Sequence, residues 1–128
     1  MSWKKNGLIL FIAVSTITSN LAMSEGASAQ DYLSPAAVVA DPQGKTLYIA
    51  ETTAKQIAVF DTRTTKVTET ISVPAEPTGL ALTDDGAILY VTCAAPEGCV
   101  CVINTSTAKV IKNIPAGYGA QSPVLSDD

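Results

Sequence analysis

The chain of 128 residues contains no histidine. That removes imidazole as a metal ligand or general base, and with it Cys-x-x-Cys-His haem attachment within these residues. Positive charge is also scarce, with eight Lys and Arg against twelve Asp and Glu. Nothing forms a basic stripe for phosphate contacts, so the electrostatic term that dominates nucleic-acid binding is missing and no nucleic-acid partner is expected. After residue 30 no window carries an apolar stripe at 3.6-residue spacing between breakers, which argues against helix there. No nucleophile–base pair, glycine-rich phosphate loop or paired carboxylate can be assembled from these residues. No catalytic, cofactor-binding or metal-binding residue is assigned, and no cofactor is expected in this segment.

The N-terminus is different in kind. Lys4 and Lys5 form a positive region, Leu8–Val14 opens an apolar run reaching about Ile17, and Ala27-Ser28-Ala29 supplies the small residues a signal peptidase reads. Residues 1–29 are read as a signal peptide with an N-terminal signal helix, cut after Ala29. A retained anchor fits less well, because spanning a bilayer takes roughly 20 mainly apolar residues and Ser15, Thr16, Thr18, Ser19 and Asn20 interrupt this run. Cleavage leaves no transmembrane span. The remainder has six basic and eleven acidic side chains. An exported protein, periplasmic or extracellular, is expected.

Beyond the leader the chain repeats itself. Pro35, Gly44, Leu47 and Tyr48 recur 42 residues later as Pro77, Gly86, Leu89 and Tyr90. One extra residue enters Ala94–Gly98, and the spacing becomes 43: Val59, Thr62, Thr64, Lys66, Val67 and Ile71 recur as Val102, Thr105, Thr107, Lys109, Val110 and Ile114. Leu82, Asp84 and Asp85 recur as Leu125, Asp127 and Asp128. A period near 40–45 residues with strand-like content marks an array of propeller blades.

Turn chemistry divides each copy into four strands. In the first these are Ala36–Ala40, Thr46–Ala50, Gln56–Phe60 and Lys66–Val73, rich in β-formers. Asp41-Pro-Gln-Gly44 is a turn with proline where φ is fixed and glycine where φ is positive. Along Lys66–Val73, alternation predicts Val67, Glu69, Ile71 and Val73 on the inner face. The second copy gives Gly79–Leu82, Ile88–Cys93, Cys99–Asn104 and Ala108–Ile114. The fold class is therefore all-β: four-stranded antiparallel propeller blades, the first over about 35–76, the second over about 77–119, and the start of a third over 120–128. Two blades and a beginning form an incomplete ring, since closure takes roughly 4–8. Residues 30–128 are read as a partial β-propeller, the N-terminal fragment of a longer chain.

Leu47-Tyr-Ile-Ala50 and Leu89-Tyr-Val-Thr92, each after a turn glycine, resemble the Tyr-Val-Thr-Asn (YVTN) β-propeller repeat. So do Val59-Phe-Asp-Thr62 and Val102-Ile-Asn-Thr105, each followed by Thr-x-Lys-Val. Glu51 and Cys93 stand where that repeat usually has Asn. The resemblance implies an exported propeller, of the periplasmic or surface-layer kind or fused to electron-transfer domains.

Among candidate residues, Cys93 and Cys99 flank a hairpin loop, which in an oxidising compartment predicts a disulfide. Cys101 aligns with Ala58 and reads as a small buried hydrophobe. A three-thiolate metal site and a redox pair are weaker alternatives: the spacing matches no common zinc pattern, and nothing nearby lowers a thiol pKa. Gly44, Asp84, Asp85 and Gly86 read as turn residues. Leu47, Tyr48, Leu89 and Tyr90 read as packing between blades, while Glu51 and Glu76 sit where a ring opening would be. The function these features suggest is binding or scaffolding, with a protein or small-molecule ligand as partner. The alternatives are the propeller portion of an oxidoreductase with its haem or metal domain beyond residue 128, and a lactonase-like hydrolase.

Overall fold

The computed structural model describes residues 33–94 and 96–127. The leader expected over residues 1–29 lies outside them. Eight strands follow in order: β1 (Pro35–Ala40), β2 (Thr46–Glu51), β3 (Gln56–Asp61), β4 (Lys66–Ser72), β5 (Pro77–Leu82), β6 (Ile88–Cys93), β7 (Cys99–Asn104) and β8 (Lys109–Pro115). They form two four-stranded antiparallel sheets, β1-β2-β3-β4 and β5-β6-β7-β8. Among the described residues there is no helix. Pro35 and Pro77 open their strands, the strand position where a missing N–H is best tolerated.

The repeated polar residues build the turns. Gly44 and Gly86 have φ of 67° and 72°, values that a Cβ would strain. Asp61 Oδ1 accepts from the N–H of Arg63 (2.8 Å) and Thr64 (3.3 Å). Asn104 Oδ1 does the same for Ser106 (3.0 Å) and Thr107 (3.2 Å). Both are short side chains folding the backbone two residues on. The next motif residue ties each hairpin to the turn beside it: Thr62 Oγ1 donates to Gly44 O (2.8 Å) and Thr105 Oγ1 to Gly86 O (2.6 Å).

The core lies between the sheets. Tyr48, Ala50, Ile57 and Ile71 from the first meet Leu89, Val91, Cys93, Cys101 and Ile103 from the second, with Val73 and Ala75 of the connection. Ile57, Leu89 and Ile103 are fully buried, each contributing about 1.5–3 kcal/mol from lost apolar surface. Burial of Tyr48 raises its phenol pKa above 10.0. β5 lies against β1 and β2. The segment after β8 then runs beside β5 as β5 runs beside β1. Thr78 Oγ1 donates to Ala120 O (2.8 Å), as Thr52 Oγ1 does to Pro77 O (3.2 Å). Gly79 is closed over by Ser122 and Pro123, and a Cβ there would meet Pro123 Cδ at 2.6 Å.

One expectation about the outer strand fails. Ile71 and Val73 are buried, and Glu69, opposite Val59, stays on the Ile71 face although exposed, but Val67 is 51% exposed. The register shifts between Val59↔Glu69 and Phe60↔Val67, leaving Thr68 as an extra residue. A one-residue bulge sends everything before it to the opposite face. The same shift recurs in the second sheet between Val102↔Lys112 and Ile103↔Val110, where Ile111 is the extra residue, 58% exposed.

Candidate functional site

Chemistry-bearing side chains converge where β6 ends and β7 begins. Cys93 is paired with Cys99, and Val91 with Cys101. Strand alternation therefore places Val91, Cys93, Cys99 and Cys101 at the four corners of one patch on a single face. Three corners are thiols. The Sγ atoms of Cys93 and Cys101 are 3.8 Å apart, those of Cys99 and Cys101 3.9 Å, and all three lie within 4.8 Å of one another. Cys93 and Cys101 are fully buried between the blades and Cys99 is half-buried.

The thiols are free in this structure, with no bond between Cys93 and Cys99. Cys101, read from sequence as a small buried hydrophobe, is buried and is also the near neighbour of both other sulfurs. Nor is the patch without an influence on acidity. Either sulfur of the Cys93–Cys101 pair can donate, and once Cys93 ionises the donor is Cys101. This contact, with smaller help from Cys99 and the Ala75 N–H, lowers the Cys93 pKa from 9.0 to about 7 against the opposing effect of burial. Cys101, holding the shared proton, is pushed up, and burial reinforces the shift. Cys99 is raised by burial and by the charge of Cys93.

In the first blade the same three positions hold Glu51, Gln56 and Ala58. Glu51 is 6% exposed, and its Oε2 accepts from Gln56 Nε2 at 2.6 Å. The carboxylate considered for a ligand contact is thus engaged within its own sheet. Glu76 is exposed, and its backbone carbonyl accepts from Ala94. Tyr48 is buried between the blades, while Tyr90 lies on the far face of the second sheet, half-buried. Leu89 is fully buried; Leu47, on the face turned away from the second blade, is half-buried.

The turn residues stand at the opposite end of the strands. Asp85 Oδ1 accepts from Thr83 Oγ1 (2.6 Å) and Ala87 N–H (3.0 Å), which holds its carboxyl below the usual 3.8. Asp84 lines two shallow grooves of about 230 and 290 Å³, the first with Val39, Pro42 and Leu82, the second with Leu125 and Asp127.

Two stacked four-stranded sheets repeating every 42–43 residues are blades, and the family model described as "Lactonase, 7-bladed beta-propeller" matches residues 7–124. The chain belongs to this lactonase-type propeller family. Among solved structures, this family member is similar to a chain of Kuenenia stuttgartiensis hydrazine synthase, with 31% identity and a TM-score of 0.68 over 75% of this chain and 27% of that one. It is also similar to the RRP9 WD40 repeats (12% identity, TM-score 0.62, 72% of this chain and 29% of that one). A third match is the Myceliophteria thermophila Cps50 (Swd1) beta-propeller domain (15%, 0.62, 69% and 28%). The last two share the fold alone. The lactonase-type chain thus spans little more than a quarter of the length of each. No curated protein matches it.

Proposed function

We propose that this chain is part of an exported propeller of the YVTN-repeat type, serving as a rigid binding or scaffolding platform in the periplasm or at the cell surface. The observation that carries this reading is where the repeated polar side chains are spent. Asp41, Asp61, Thr62, Asp85, Asn104 and Thr105 are engaged in holding turns. The residues that define the repeat therefore build a frame, and the loops that differ between its two copies, such as Thr52–Lys55 and Ala94–Gly98, are left to make contacts. Lys4, Lys5, the apolar run and Ala27-Ser28-Ala29 support export.

A second reading places the propeller within an oxidoreductase. The 31% identity with a chain of hydrazine synthase favours it. The test is to produce the protein with its leader intact and fractionate the cells. The platform reading expects a mature N-terminus at Gln30 in the exported fraction and a stoichiometric envelope complex after cross-linking. Turnover of a lactone panel by the purified protein would overturn it in favour of hydrolysis, and a haem spectrum in the isolated complex would overturn it in favour of the redox reading.

A further inference from the structure

We propose that Cys93, Cys99 and Cys101 form a three-sulfur site for a single soft d10 cation, seated between the two blades. The proposal stands on placement. Three of the four corners of one patch are thiols, and they converge within 4.8 Å. An ion bound to sulfur at about 2.3 Å holds its sulfurs about 3.8 Å apart at tetrahedral angles and about 4.0 Å apart in a trigonal plane. The two nearest sulfur pairs stand at 3.8 and 3.9 Å, so ligation requires little movement.

The donor set selects the ion. Thiolates favour soft ions such as copper(I) and zinc over magnesium or calcium. The fourth corner is Val91, fully buried, which offers no ligand and keeps water off that side. An ion content with three ligands is therefore preferred over one that demands four. The first blade shows what the same positions do otherwise: Glu51 and Gln56 satisfy each other by a hydrogen bond, and Ala58 closes the corner.

Protons balance simply. Each sulfur binds the ion as a thiolate. Ligation releases to solvent whatever protons the three thiols carry at the working pH and leaves every sulfur oxidation state unchanged. No oxidant or reductant is consumed. The inference is independent of the platform reading, because it concerns a patch internal to the sheet pair.

The test uses the full chain, reduced and metal-free, titrated separately with copper(I), held soluble by a competing chelator, and with cadmium(II). The expected result is one equivalent bound by either ion, a sulfur-to-metal charge-transfer band in the ultraviolet, and all three thiols protected from alkylation. Cys101→Ala should lose at least about a hundredfold in affinity. Cys99→Ser, at the half-buried corner where misfolding is least at issue, should protect two thiols only and lose the band's intensity. Failure of both ions to bind would overturn the proposal. So would protection of fewer than three thiols in the unsubstituted chain, or a Cys93–Cys99 disulfide in protein isolated under native conditions, seen as the mass deficit of one bridge.

Discussion

Replacing Leu89 by alanine tests how much the contact between blades contributes, because the repeat supplies its own control. Leu89 and Leu47 occupy the same motif position, follow the same kind of turn and pair with equivalent neighbours. They differ in what covers them. Leu89 is fully buried against the first blade, whereas the face bearing Leu47 has no sheet against it among the described residues. Removing a fully enclosed leucine side chain costs about 3 kcal/mol, from lost transfer free energy plus the cavity left behind. A half-covered leucine forfeits roughly half the transfer term, and its site relaxes into solvent, so Leu47→Ala should cost about 1–1.5 kcal/mol. With a urea slope of about 1–2 kcal/mol per molar, the two variants should unfold at midpoints about 1 M apart. Equal losses at the two sites would refute the reasoning, since they would mean that Leu47 is as enclosed in solution as Leu89.

Gly98→Ala should destabilise by about 1–3 kcal/mol, because the added methyl overlaps the Gly117 carbonyl, a backbone group with no easy way to yield; a thermal melt compares it with Gly117→Ala, which meets no atom but is strained at φ 78°. The Asp61 carboxyl is held below its usual 3.8, first by the Arg63 N–H, and a depressed acid stabilises the fold above its unfolded pKa and ceases to as pH falls through the lower folded value. Acid unfolding followed by circular dichroism should therefore begin below about pH 4 and lose part of its pH dependence in Asp61→Asn. Ultraviolet titration of the reduced protein should show one thiolate forming at about pH 7 and two above 9.0. In Cys101→Ala, which removes the thiol donor, the first step should move upward.

Much of the fold was legible because the turns are written in side chains. Asp41, Gly44, Asp61, Gly86 and Asn104 mark their hairpins locally, and all eight strands fall within about two residues of their sequence limits. The bulges at Thr68 and Ile111 were not legible, because an alternating stretch looks the same whether or not one residue has slipped out of the ladder. The spacing of Cys99 and Cys101 declared a shared face. The hairpin loop likewise declared Cys93 and Cys99 neighbours across the strand pair, as their pairing shows. The acidity of Cys93 was not legible, because it depends on how closely the Cys101 sulfur approaches across that pair.

The slipped residues on β4 and β8 have a consequence for association. Both outer strands are out of step with a regular ladder at Thr68 and Ile111, and Lys66, Thr70 and Lys112 stand exposed nearby. A stray polypeptide zipping onto either rim would find its donors and acceptors mis-spaced after two or three bonds, beside charges it could not bury. The irregular ladder and the exposed lysines thereby work against fibre-like growth along either rim.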